Sequence, residues 1–160
     1  MKERKGEHPF GDAGQLILLA LFAVVWISDS FYLHWSTFLS NWIPNSIRMA
    51  LLYLAVLIAL ILLWTGRFVI TGKDRPDHVV DFGPYRYVRH PLYLAALLGY
   101  IGTAISSLSL FSFVLLIPIV IFYNYIADYE EKLLEAKFGD AYRDYEKRIG
   151  KWLPRVELHR

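Results

Sequence analysis

The sequence predicts an all-α, polytopic membrane protein, and three observations support this prediction. The 160 residues are 56% hydrophobic with a mean hydropathy of +0.34, which is more apolar than a soluble domain of this length. Lys and Arg are segregated along the chain instead of evenly spread. Four apolar stretches are candidate transmembrane helices, at residues 15–31, 47–64, 92–105 and 108–125.

The apolar stretches differ in how well they suit a membrane crossing. The first two approach the roughly 20 residues that cross about 30 Å of hydrocarbon, whereas the third is shorter. Only Ser106 and Ser107 separate the third from the fourth, which predicts a tight helical hairpin toward the C-terminus. Gly99 and Gly102 would let the third helix pack closely against a neighbour.

The positions of the cations predict how the helices are oriented. All but one of the 17 Lys and Arg lie before the first stretch, between the second and third, or after the fourth, and Arg48 is the exception. By the positive-inside rule, four transmembrane helices then place both termini and the active site in the cytoplasm. Nothing in this pattern indicates the oligomeric state.

Two short cytoplasmic amphipathic helices are predicted after the fourth crossing. Residues 127–138 alternate apolar and charged groups at helical spacing, and Gly139 is a natural stop. Asp140 can cap a second helix through Ile149, which Gly150 ends. Both helices are expected to lie on or near the membrane surface.

Polar and aromatic side chains concentrate in residues 81–93, DFGPYRYVRHPLY. Pro91 suits the first position of a helix, whose free amides, next to Arg89 and His90, favour a carboxylate or phosphate. Neighbouring tyrosines can stack an adenine or attract a cationic sulfonium. Each feature also has a structural interpretation, because arginines and tyrosines beside membrane helices commonly contact headgroups.

A second polar segment covers residues 128–148 and contains Glu130 and Glu131. Adjacent residues on a helix point about 100° apart, so the two carboxylates cannot form one dyad. One carboxylate could face the bundle and meet a ribose hydroxyl or an ammonium group, while the other pairs with a cation or faces water. A solvated structural role for both is equally open.

The motifs GPYRYVRHPLY (83–93) and EEKLLEAKFGDAYRDYEKRIGKWLP (130–154) resemble the isoprenylcysteine carboxyl methyltransferase-like family and its phospholipid methyltransferase relatives. The resemblance implies a single membrane domain over residues 1–160, with N-terminal helices and a loop in 1–80 and a cofactor-binding core in 81–154. It also implies methyl transfer from S-adenosylmethionine, with S-adenosylhomocysteine as product. The relatives' GxG element is replaced here by Gly99 and Gly102, which puts a phospholipid acceptor in doubt.

The resemblance also implies roles for individual residues. The cofactor-binding set that matches the family pattern comprises Tyr85, His90, Pro91, Tyr93, Glu130, Glu131 and Tyr142. The catalytic set, near the reacting end, comprises Arg89, Glu131 and Arg148. A carboxylate acceptor would need a cation such as Arg89 or Arg148 to orient it, whereas an amine would need a base such as Glu131 or His90.

The expected acceptor is a lipid-like or isoprenoid small molecule that enters from the bilayer, and neither a metal nor nucleic acid is expected to take part. A Rossmann methyltransferase is disfavoured because no glycine-rich turn between a strand and a helix occurs. The chain has no cysteine, which excludes disulfides and a thiol nucleophile. Two alternatives stay open: an NADPH-dependent reductase of the sterol-reductase type, and a non-catalytic membrane sensor or assembly protein.

Overall fold

The computed structural model describes residues 11–70 and 78–155, and in these ranges all regular secondary structure is helical apart from one isolated bridge between Val88 and Gly150. The predicted all-α class is therefore confirmed. The cations at positions 2, 4, 5, 73, 75 and 160, which contribute to the predicted orientation, lie outside the described residues. The described residues form five α-helices: α1 (Gly11–Ile27), α2 (Asn45–Ile70), α3 (Pro91–Ser107), α4 (Leu110–Phe138) and α5 (Asp140–Arg148).

Three helical segments of the described chain are long and apolar enough to cross a membrane: Gly11–Leu33, Asn45–Val69 and Leu110–Phe138. The first combines α1 with a π-helical extension, Ser28–Leu33. α3 is apolar but has only 17 residues. Four crossings, like the tight hairpin, remain predictions.

The C-terminal helices differ from the prediction in one respect. α4 continues without a break to Phe138, so the amphipathic helix predicted over residues 127–138 is the end of α4 and not a separate element. No Gly or Pro interrupts residues 119–138, and Gly139, at φ +57°, ends the helix as predicted. Asp140 is the first residue of α5 and not its cap, because Gly139 occupies the capping position.

The connection between α3 and α4 also lies later than predicted. Ser106 and Ser107 belong to α3, and the turn consists of Leu108, in the left-handed conformation, and Ser109. The Ser109 hydroxyl accepts a hydrogen bond from the Ser112 amide at 3.2 Å and so caps α4. The Ser106 hydroxyl donates to the Thr103 carbonyl at 2.7 Å, so a serine pair can belong to the last turn of a helix and does not by itself mark the connection.

The core lies between α1, α3 and α4. The rings of Phe22 and Tyr100 meet edge to face with centroids 4.9 Å apart, and Tyr123 packs beside them. α2 lies against α3, where a Cβ on Gly102 would stand only 2.8 Å from Cβ of Ala55. The predicted close packing is thus confirmed for Gly102, but it is wrong for Gly99, whose Cβ would meet nothing within 4 Å.

A polar cluster closes the end of the bundle opposite the predicted site. The buried carboxylate of Asp29 accepts hydrogen bonds from the amide and hydroxyl of Ser36, at 3.0 and 2.5 Å. Ser36 also binds the Phe111 amide at 3.2 Å, which ties this loop to the start of α4. Arg48 donates to the Ser106 carbonyl at the end of α3. A capping role therefore accounts for the one cation that departs from the charge pattern.

Candidate functional site

The segment before α3 brings its polar side chains to the helix start. Gly83, at φ +61°, and Pro84 open a short 3₁₀ turn, Gly83–Arg86, and the Val88 amide donates to the Pro84 carbonyl at 3.2 Å. His90 then precedes Pro91, which occupies the first position of α3 as predicted. His90 and Tyr93 consequently project from the first turn of the helix, with their rings stacked 5.7 Å apart.

His90 joins this helix start to the glutamate pair on α4. Its Nε2 lies 2.9 Å from Oε1 of Glu131, and its Nδ1 lies 3.8 Å from Oε2 of Glu130. The Tyr93 hydroxyl donates to Glu130. The two carboxylates point in different directions, as adjacent positions on a helix require. The imidazole of His90 contacts both carboxylates because its two nitrogens lie on different edges of the ring. The predicted convergence of the two segments is confirmed.

Arg89 is buried, and its guanidinium is directed at protein groups. Nε donates to Oε1 of Glu131 at 2.8 Å, and Nη1 donates to the carbonyls of Glu146 and Ile149 at 3.0 and 3.1 Å. Nη2 lies 3.2 Å from the Glu146 carboxylate. These contacts satisfy donors that a buried cation cannot leave unpaired. Arg89 therefore links α4, α5 and the chain that follows α5.

That following chain, residues 149–155, is here called the C-terminal strap. The Arg89 amide donates to the Gly150 carbonyl at 3.0 Å, and the ring of Trp152 lies 5.8 Å from that of His90. Lys151 binds Asp128 and Asn124 on α4 at 2.5 and 2.9 Å. The strap thus crosses the site and is fixed to α4. Trp152, Lys151 and Glu146 were not predicted as site residues, although all three lie in the recognised motif.

Tyrosines form the side of the site nearest α5. Tyr142 and Tyr145 are buried, and the Tyr145 hydroxyl donates to the Tyr85 carbonyl at 2.7 Å. Burial raises the pKa of Tyr142, and the Glu131 carboxylate raises it further. Burial also raises the pKa of Tyr85, to which Tyr145 and Glu130 contribute. These phenols keep their protons at neutral pH and can serve as hydrogen-bond donors but not as bases.

Arg148 occupies a different position from the other predicted residues. Its side chain is exposed, and Nη2 lies 3.8 Å from Oδ2 of Asp81. It lines a neighbouring cavity of about 680 Å³ together with Arg86. The structure thus assembles seven of the predicted residues around Glu131, directly or through shared neighbours: Tyr85, Arg89, His90, Pro91, Tyr93, Glu130 and Tyr142. No contact between described residues joins Arg148 to His90 or the glutamates.

Comparison with known proteins identifies the class to which this helical membrane protein belongs. The model of the phospholipid methyltransferase family matches residues 49–141, which is more than half of the chain and includes the helix start and both glutamates. The chain belongs to this family of membrane methyltransferases.

The individual relatives include one methyltransferase and two metal-resistance proteins. The chain is 33% identical over 91 residues to the protein-S-isoprenylcysteine O-methyltransferase of Schizosaccharomyces pombe, with 55% of this chain and 38% of that protein covered. It is 30% identical over 99 residues to the cobalt-zinc-cadmium resistance protein CzcN of Cupriavidus metallidurans, with 61% and 44% covered. The nickel-cobalt-cadmium resistance protein NccN of Alcaligenes xylosoxydans is equally similar, with 61% and 45% covered. The aligned part spans less than half of each relative.

Proposed function

We propose that this protein transfers a methyl group from S-adenosylmethionine to a lipid-like or isoprenoid acceptor at the membrane surface. The observation that supports the proposal most strongly is the contact of His90 with both Glu130 and Glu131. It unites the two motifs of the family at a single place, beside the start of an apolar helix. Membership of a membrane methyltransferase family supports the reaction type.

The residues present fit the cofactor. The side chains of Glu130 and Glu131 are 20% and 11% exposed, so a ligand can approach them, and carboxylates accept hydrogen bonds from ribose hydroxyls and from an ammonium group. Tyr93 and Trp152 add aromatic faces next to His90, which suit an adenine or a sulfonium. The proposed cofactor-binding set comprises Tyr85, His90, Pro91, Tyr93, Glu130, Glu131 and Tyr142.

The cofactor supplies a methyl group that is already activated on sulfur, so the work left to the protein is alignment and exclusion of water. Arg89 and His90 both hold Oε1 of Glu131, and that fixes the carboxylate. Arg89 is thereby proposed as a positioning residue. Glu131 and His90 are the two proposed candidates for a base toward an amine acceptor, and Arg148 is the exposed cation proposed to orient an acceptor carboxylate.

Methylation can be tested directly on membranes that contain the protein. Incubation with S-adenosylmethionine labelled in the methyl group, followed by lipid extraction, should give a labelled lipid-soluble species. Membranes with the Glu131→Gln variant should give little or none, because the binding carboxylate loses its charge. Label in the extract that is equal for the parent, the variant and membranes without the protein would contradict methyl transfer by this site.

A further inference from the structure

A cavity of about 680 Å³ lies beside the proposed methyl-transfer site. Of its lining residues, only Arg148 has a role in the proposed reaction. Three arginines and one carboxylate supply its charged lining: Arg86, Arg148, Arg155 and Asp81. We call these arginines and the space between them the arginine cup. Its charge is strongly positive, because the single carboxylate offsets only one of three guanidinium groups.

The guanidinium groups of the cup form few hydrogen bonds with the rest of the described protein. The guanidinium group of Arg86 forms no hydrogen bond or ion pair with another residue in the ranges 11–70 and 78–155. Arg148 makes one long contact with Asp81, at 3.8 Å, and one with the Asp144 carbonyl, at 3.4 Å. Arg155 donates to the Lys147 carbonyl. This contrasts with Arg89, whose donors are all directed at protein groups, and it leaves donors for an external anion.

Two contacts next to the cup hold its walls together. One wall is the segment 81–86 and the other is the chain from Arg148 to Arg155. The bridge between Val88 and Gly150 and the bond from Tyr145 to the Tyr85 carbonyl join the two walls. Arginines on two connected walls can surround a tetrahedral anion and donate to it in pairs.

We propose that the arginine cup binds the phosphate group of an anionic membrane lipid. Phosphate suits it because guanidinium forks match phosphate oxygens, and a lipid suits it because Phe82, 52% exposed, and Ile149 add apolar surface to the lining. The cup also lies where the chain enters α3, and anionic headgroups attract arginines at such positions. The inference goes beyond the proposed reaction, since it needs neither the methyl donor nor the acceptor.

The test uses the full chain in lipid nanodiscs and measures its melting temperature. Discs of phosphatidylcholine are compared with discs that also contain phosphatidic acid, and a third sample has phosphatidylcholine discs with inorganic phosphate in the buffer. The cup variant is Arg86→Gln with Arg155→Gln. The control is Arg143→Gln with Lys147→Gln, which removes two exposed cations of α5 that lie outside the cup lining.

Phosphatidic acid should raise the melting temperature of the parent and of the control, and this rise should be lost in the cup variant. The proposal is overturned if the parent shows no rise, or if the cup variant rises as much as the control. A rise with inorganic phosphate but none with phosphatidic acid would also overturn it, since the ligand would then not be a lipid. None of these outcomes bears on methyl transfer.

Discussion

At the scale of single residues, the Glu131 carboxylate is held in place by two other side chains of the site. One of its oxygens accepts from both Arg89 and His90, and its side chain is only 11% exposed. A carboxylate held by a cation and an imidazole cannot rotate away, so it presents a fixed face to any ligand. Glu135, one helical turn later on α4, is 42% exposed and pairs with Arg143 at the surface.

This difference predicts unequal effects of the same substitution. Glu131→Gln should weaken S-adenosylhomocysteine binding roughly tenfold to hundredfold, the range expected when about 1.5–3 kcal/mol of charged hydrogen bonding is lost. Glu135→Gln should leave the affinity unchanged. Isothermal titration calorimetry on detergent-purified protein measures both. Parent-like affinity in a folded Glu131→Gln protein would refute the assignment of Glu131 to the cofactor site.

The contacts of His90 and Tyr93 with the two glutamates could be expected from the sequence, because all four residues lie in the two motifs that resemble one family. Lys151 and Trp152 could not. Their partner Asn124 is 27 and 28 residues away, and the contacts exist only because the strap turns back over the site. Arg148, at the end of α5, lies within the motif, but its side chain is directed to Asp81. A position in a motif does not determine in which direction a long side chain points.

At the scale of elements, the close approach of α2 and α3 depends on Gly102. A Cβ there would stand 2.8 Å from Cβ of Ala55 and 3.4 Å from the Leu52 side chain, whereas at Gly99 it would meet open space. Helices in lipid gain stability by this kind of close packing. Because His90 lies at the start of α3, the position of that helix also determines the position of the site.

The two glycines provide a matched pair of substitutions. Gly102→Ala should destabilise the protein by about 1–3 kcal/mol, because the added methyl group must push α2 away. Gly99→Ala should be neutral or slightly stabilising, since alanine favours a helix more than glycine does. The midpoint of unfolding in mixed detergent micelles compares them. Equal loss of stability in both variants would contradict the close helix contact.

The helices themselves could be predicted from hydropathy and from Gly139, but their boundaries could not. The charged residues after Tyr125 suggest that the membrane helix ends there, yet α4 continues as far as Phe138, and most of residues 128–138 are strong helix formers. Likewise, hydropathy does not distinguish Gly99 from Gly102, because the contact with Ala55 depends on how α2 lies against α3.

At the scale of the whole molecule, the two ends of the bundle differ in chemistry. One end is closed by the buried Asp29 cluster, and the other combines the glutamate pair, the strap and the arginine cup. The proposed cofactor site and the proposed anion site therefore lie at the same end, an arrangement that suits an amphiphile whose polar group lies at the membrane surface. The cytoplasmic location of that end remains a prediction from the distribution of cations.

Thermal unfolding of the detergent-purified chain with S-adenosylhomocysteine, with NADPH, and with neither tests most directly whether the site around Glu131 holds the methyl donor. A ligand that binds only the folded state raises the melting temperature, so S-adenosylhomocysteine should stabilise the parent, and NADPH should not. The Glu131→Gln variant should show a smaller rise with S-adenosylhomocysteine. Stabilisation by NADPH alone would contradict the methyltransferase assignment and favour a reductase.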